Sequence, residues 1–198
     1  LRPPFAPRAS LPSKGRRVLV LGGSQGAQAL NERLPEALGR LAAGRPGFSD
    51  LEVVHQAGNG KDVAVREAYA RAGLASARVL PFSSALEDDL AWADLVVARA
   101  GAGTIAEIAA VGRASLLIPF PAAADDHQAK NAAAYAGTGA AVWLRQEAAD
   151  STRLESEVHR ILADPALRER LAAAAAAAGR PEASRTIAVD VLKLIEVA

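Results

Sequence analysis

The chain has 198 residues, 51% of them hydrophobic and 23% charged, carries a formal net charge of +1, and contains neither cysteine nor methionine. That length holds one sizeable core, and the near-neutral balance offers no broad basic field for nucleic acid. The lack of cysteine excludes disulfides, thiolate nucleophiles and thiolate metal sites together and leaves the compartment open; no apolar run reaches the roughly 18 residues that span a bilayer.

Without a methionine the sequence reads as a processed or excised piece of a longer chain. Residues 1–15, rich in Pro, Arg and Ser and without periodicity, predict a linker or interdomain segment, with one domain over residues 16–198. From Arg17 onward short apolar runs alternate with helical patterns. Strands are predicted at Arg17 to Leu21, Leu51 to His55, Arg78 to Phe82, Asp94 to Ala98, Ser115 to Pro119 and Ala141 to Leu144. Helices are predicted between them at Ala27 to Ala42, Asp62 to Ala72, Ala85 to Ala91, Thr104 to Val111 and His127 to Ala136. Val18-Leu19-Val20-Leu21 and Leu116-Leu117-Ile118 are apolar on both faces, as strands are when helices cover both sides of a parallel sheet. The fold class is therefore α/β: a doubly wound, Rossmann-like parallel sheet of about six strands. After Leu144 only helices follow, at Ser151 to Ala163 with Ser151 as N-cap, Pro165 to Ala178 and Pro181 to Val197. These are expected to cover the sheet or to return to a missing half.

Ligands of open parallel sheets bind beyond the carboxyl ends of the strands. The loop Gly22-Gly23-Ser24-Gln25-Gly26-Ala27 follows the first strand and opens a helix, so backbone can approach an anion there, with Ser24 and Gln25 as side-chain donors; glycines that merely make a tight turn would read the same. A second loop of this kind, Arg99-Ala100-Gly101-Ala102-Gly103-Thr104, follows the fourth strand, and two helix N-termini at one sheet edge favour a diphosphate. Glu107, one turn on, can accept hydrogen bonds from a ribose diol or stand in water. Gln128 and Asn131 share a helix face at a spacing that suits sugar hydroxyls, while His127 at the helix start is as easily a solvent-facing residue as a ligand contact. His55 and His159 lie apart, and no spacing suggests a metal site; neither metal nor cofactor is expected. From another reaction class, Gly22-x-Ser24-x-Gly26 fits the nucleophile elbow of serine hydrolases, with Asp94 and His127 following in the required order. Against it, the elbow would follow the first strand, and the second glycine loop would have no role. A non-enzymatic nucleotide-binding module would keep both glycine loops but need no sugar contacts.

Taken in order, Gly22-Gly-Ser-Gln-Gly-Ala27, Ala91-Trp-Ala-Asp94, Arg99-Ala-Gly-Ala-Gly-Thr104, Ala106-Glu-Ile-Ala-Ala110, Pro119-Phe120 and His127-Gln-x-x-Asn131 resemble the C-terminal half of the MurG-type N-acetylglucosaminyltransferases, within the GT-B superfamily. The resemblance implies a site for UDP-N-acetylglucosamine. Ser24 and the helix start at Gly103-Thr104 would lie near the diphosphate, Glu107 on the ribose, Gln128 and Asn131 on or near the sugar with Ala102 beside it, and Gln25 and Gly26 would belong to the same substrate site. The Ser83 main chain would read the uracil, Phe82 and Leu86 would line its pocket, and Arg2 could reach the nucleotide. The sequence departs from the family at Pro121 to Asp125, one residue longer and less polar, and at His127, where the family has a glutamine. The resemblance also implies inverting transfer to the undecaprenyl-linked acceptor lipid I, in peptidoglycan synthesis at the inner face of the cell membrane. The acceptor site and general base would come from an N-terminal domain outside this chain, so the piece alone is expected to bind donor with negligible transfer. A naturally split two-subunit enzyme is the alternative to an excised fragment.

Overall fold

The structure, a computed structural model, describes residues 15–23, 26–180 and 182–196. The linker expected before Gly15, with Arg2, lies outside the described residues, and so do Ser24 and Gln25.

Strand β1 (Arg17–Leu21) is built from side chains with nowhere to go but a core. Val18 and Val20 face one apolar layer and Leu19 and Leu21 the other, all of them at most 3% exposed. Its start is pinned by Asp94, whose Oδ2 accepts from the N–H groups of Arg16 and Arg17, both at 2.9 Å. Next come α1 (Gln28–Gly44), β2 (Glu52–Gln56), α2 (Asp62–Arg71), β3 (Arg78–Leu80), α3 (Leu86–Trp92), β4 (Leu95–Ala98) and α4 (Ala102–Val111). β5 (Ser115–Leu117), α5 (His127–Gly137) and β6 (Ala141–Trp143) complete the alternation, and α6 (Ser151–Ala163), α7 (Pro165–Ala178) and α8 (Ala183–Glu196) end it. The expected strands and helices all form, with ends shifted by a few residues. Short 3-10 turns at Ala124–Asp126 and Gln146–Ala148, absent from the sequence reading, are added.

All six strands are parallel, in the order β3-β2-β1-β4-β5-β6. The order reverses between β1 and β4, which opens a crevice at their carboxyl ends, where doubly wound sheets hold ligands. Leu30, Leu34, Leu38 and Leu41 put one stripe of α1 against the first layer with Leu154, Val158 and Ile161 of α6. Leu90, Ile108 and Ala132, from α3, α4 and α5, fill the opposite layer. α7 reaches both, through Leu171 on one side and Ala175 on the other. On α8, Ile187, Leu192 and Ile195 are at least 60% exposed, so this helix does not add to either layer as the earlier two do. No helix among the described residues is long and apolar enough to cross a membrane.

One cap differs from expectation. Asp150, not Ser151, caps α6, accepting from Arg153 N at 2.7 Å, while the Ser151 hydroxyl donates to Glu36 at 2.8 Å. A carboxylate one residue earlier meets the free N–H groups and the positive end of the helix at once.

A buried polar chain crosses the first layer. His55, fully buried, has Nε2 3.0 Å from Asn31 Oδ1 and Nδ1 3.0 Å from the Tyr69 hydroxyl, and burial pushes its pKa down from 6.5 to about 3. The folded protein thus holds His55 neutral over a range in which the unfolded chain protonates it. Stability is complete above pH 6.5 and falls as the pH drops from there toward 3, by up to about 1.4 kcal/mol per pH unit from this group. Urea unfolding at pH 7.0 and 4.5 is expected to show this fall, and His55→Gln to reduce it by about one proton's linkage; equal slopes in the two proteins would refute the assignment.

Candidate functional site

The crevice lies where the sequence placed it, between the ends of β1 and β4. On the β1 side the described ends of the glycine loop are held by short bonds: Gly22 N donates to Gln56 O at 3.2 Å and Gly26 N to Gly23 O at 3.1 Å. On the β4 side α4 begins two residues earlier than predicted, with Gly101 as its N-cap and no side chain capping it. The first intrahelical bond runs from Ile105 N to Gly101 O, so the N–H groups of Ala102, Gly103 and Thr104 have no partner within the helix. Ala102 and Gly103 are exposed, and a side chain added at Gly101 or Gly103 would meet nothing within 4 Å among the described residues. Such uncapped amides at a helix start suit an anion.

Between the two loops is a cavity of about 650 Å³ lined by Gly22, Gly26, Gln28, Arg33, Lys61, Arg99, Thr104, Phe120, Gln128 and Gln146, among others. That volume is ordinary for a small-molecule site. Arg99 donates from Nη1 to the carbonyls of Ile118 and Pro119, both at 3.0 Å, and from Nη2 to Gln146 Oε1 at 2.6 Å, with its guanidinium 5.4 Å from the Phe120 ring centre. Arg33 reaches the same turn, donating to Gln146 O at 2.7 Å and Ala149 O at 3.0 Å. Burial, and next the like charge of Arg33, hold the Arg99 guanidinium below its ordinary value. Two arginines and Lys61, against the single carboxylate of Glu32, leave the cavity lining net positive and suited to negative charge. Arg33, Lys61 and Gln146 escaped the sequence reading. They stand far apart in the chain, and no local pattern announces them; Arg99 at least belongs to the second glycine motif.

The remaining predicted residues separate into groups. Thr104 and Gln128 line the cavity, whereas Asn131 and Ala102 line an adjoining hollow of about 470 Å³ with Ile105 and Tyr135. Both amides also brace loops: Gln128 Oε1 accepts from Phe120 N at 3.0 Å, and Asn131 Nδ2 donates to Ala100 O at 3.2 Å. Gln128 Nε2 and Asn131 Oδ1 therefore remain as the groups to meet a ligand. Glu107 is partly buried on the second turn of α4. His127 is exposed, with Nδ1 2.8 Å from Ala124 O. The loop leading to it passes through Asp125 and Asp126, both left-handed at φ 52° and 53°, a conformation Asp tolerates better than most residues. At the end of β3, Ser83 is buried, its N–H donating to Gln56 Oε1 at 3.1 Å and its hydroxyl to Asp89 at 2.6 Å, which leaves its carbonyl as the main-chain group for a base. Leu86 packs into the core and Phe82 is 45% exposed.

The hydrolase reading fails on geometry. Asp94 precedes β4 and binds the start of β1, whereas His127 opens α5 beyond the carboxyl end of β5, so the sheet's length separates the two. They cannot form a relay with one nucleophile.

Residues 17–187 match the family described as glycosyltransferase family 28 C-terminal domain. The chain belongs to this family. Among family relatives, UDP-N-acetylglucosamine--N-acetylmuramyl-(pentapeptide) pyrophosphoryl-undecaprenol N-acetylglucosamine transferase of Sorangium cellulosum is 50% identical over 194 residues, covering 98% of this chain and 46% of the relative. The protein of the same name from Xanthomonas axonopodis pv. citri is 48% identical over 177 residues, covering 89% and 40%. The crystal structure of Acinetobacter baumannii MurG superimposes with a TM-score of 0.79 at 35% identity, over 94% of this chain and 51% of that one. The calicheamicin glycosyltransferase CalG4, at 22% identity and a TM-score of 0.61, shares the fold. The chain spans about half the length of the relatives it matches.

Proposed function

We propose that this chain is the donor-binding half of an inverting N-acetylglucosaminyltransferase that takes UDP-N-acetylglucosamine as donor and lipid I as acceptor. The observation that carries the reading is the convergence of the first glycine loop and the bare N-terminus of α4 on one cationic cavity, in a chain half identical to a transferase of that name. The diphosphate would lie against the amides of Gly103 and Thr104 and near Ser24 and Gln25, with Glu107 on the ribose, Gln128 and Asn131 on the sugar, Ala102 and His127 beside it, and the loop from Phe82 through Ser83 to Leu86 around the uracil. Arg2 would approach the nucleotide from the preceding segment.

In such a transfer an acceptor oxygen attacks the anomeric carbon from the face opposite UDP, a C–O bond forms as the sugar–phosphate bond breaks, and the pair of electrons leaves with UDP. Preorganised amides and the guanidiniums of Arg99 and Arg33 can stabilise that developing charge. The acceptor site and general base would reside in a second, N-terminal half, through which the enzyme would touch the inner face of the cell membrane as a peripheral protein. Residues 16–198 would form the donor domain and residues 1–15 the connection.

Titration calorimetry tests this. The chain is expected to bind UDP-N-acetylglucosamine in preference to UDP-glucose, and Glu107→Ala to weaken binding by about tenfold, the worth of one charge-assisted hydrogen bond to the ribose. Absence of UDP-sugar binding by the intact chain would sink the proposal.

A further inference from the structure

The sequence reading left His55 without a role, yet the end of β2 touches both loops of the proposed nucleotide site. Asn31 Nδ2 donates to Ala57 O at 2.9 Å, which makes Asn31 Oδ1 an acceptor. His55 Nε2, 3.0 Å from that oxygen, must then carry the hydrogen, and Nδ1 accepts from the Tyr69 hydroxyl at 3.0 Å. Only this arrangement satisfies every polar atom of the three side chains, all of them at least nine-tenths buried. The Tyr69 and His55 rings meet edge to face, with centres 5.7 Å apart.

The chain of bonds ends on backbone that the first glycine loop rests against. The Gly26 backbone is packed so tightly on the Ala57 carbonyl that even a methyl group would overlap it, and Gly22 N donates to the neighbouring carbonyl of Gln56. The Gln56 side chain accepts from Ser83 N in the loop after β3. One strand end, His55-Gln56-Ala57, thus braces the proposed diphosphate loop and the proposed base loop together. Apolar side chains would fill the same volume without the desolvation that three buried polar groups cost, but they would leave the Ala57 carbonyl without its side-chain donor, held through the backbone bonds of Ala57 N to Leu80 O at 2.8 Å and Gly58 N to Pro81 O at 3.2 Å.

We infer that Tyr69, His55 and Asn31 form a positioning network that sets the first glycine loop at the height the diphosphate needs. None of the three is a catalytic residue; they act through Ala57 and Gly26. The inference deepens the donor-site reading and rests on it for the identity of the ligand, though not for the effect on the loop.

Two readouts separate these dependences, amide hydrogen exchange of the ligand-free chain and calorimetry with UDP-N-acetylglucosamine, applied to wild type, Asn31→Leu and the milder Tyr69→Phe. Exchange is expected to accelerate at Gly22, Gly26 and residues 56–58 while β5 and β6 keep wild-type protection. Donor affinity should weaken about tenfold in Asn31→Leu and about threefold in Tyr69→Phe, at unchanged protein concentration and pH. Wild type that fails to bind donor while the variants show the local exchange change would sink the donor reading and leave the network standing. Uniform acceleration across the sheet, or exchange and affinity equal to wild type in a folded variant, would overturn the network. Should Asn31→Leu not fold, Tyr69→Phe decides by the same criteria.

Discussion

Gly26→Ala is expected to abolish measurable donor binding and to lower stability by about 2–4 kcal/mol, as overpacking combined with a left-handed backbone does. Gly26 sits at φ +71°, where an L side chain is strained, and the new Cβ would overlap the Ala57 carbonyl oxygen and stand 2.8 Å from the Ala57 carbonyl carbon. Neither partner can give way cheaply, because that carbonyl directly follows β2, its residue is tied to Leu80 O through Ala57 N at 2.8 Å, and the carbonyl itself is held by Asn31. Gly23 supplies the internal control. It too is left-handed, at φ +78°, but an added Cβ would meet nothing within 4 Å among the described residues. Gly23→Ala should therefore cost only the backbone term, about 1–2 kcal/mol. Urea unfolding and calorimetry of the two variants side by side check the ranking; equal losses would mean that crowding against Ala57 is not the cause.

The second large effect is expected away from the ligand. Arg113, 4% exposed, donates to Leu90 O at 3.0 Å and Ala91 O at 2.9 Å in the last turn of α3, and to Val111 O at 3.3 Å and Gly112 O at 3.1 Å at the end of α4. One guanidinium thus closes two helix ends, meeting carbonyls at the last turns of both and the negative ends of both dipoles. Burial lowers its pKa, and Asp94 acts against that shift. Arg113→Met keeps much of the volume but leaves four carbonyls without this donor, and should cost about 3–5 kcal/mol. The measurement is urea unfolding; a loss below about 1 kcal/mol would mean water replaces the guanidinium at no great cost.

How much of this could be read in advance follows from the range of each interaction. The strands were legible because runs such as Val18-Leu19-Val20-Leu21 are apolar on both faces, which few other environments tolerate. The helices were legible from the leucine spacing of α1 and the Gly-rich entry to α4. The glycine loops were legible as strand-to-helix turns because a glycine cluster between an apolar strand and a helical pattern leaves a local mark. By contrast, the cap of α6 went to the wrong one of two adjacent cap-forming residues, Asp150 and Ser151. Arg33 and Gln146 meet only because α1 and the turn after β6 flank the same crevice, and His55 joins Asn31 to Tyr69 only because α1 and α2 pack on β2. Such pairings across elements carry no spacing rule. Ser83 shows the intermediate case: its loop was foreseen, but the diversion of its N–H to Gln56 was not.

The reversal of strand order also makes the crevice depend on a pairing of distant parts of the chain. Arg17 and Asp94, which fasten β1 to β4, are 77 positions apart with the three crossovers through α1, α2 and α3 between them, so this contact closes a long stretch of chain at an entropic cost. A partly folded chain holding β1, β2 and β3 would already present the glycine loop on its strut, yet would lack the α4 amides across from it. The crevice is thus complete only when β4 is paired beside β1, and any ligand that binds across it would favour the fully folded chain by mass action.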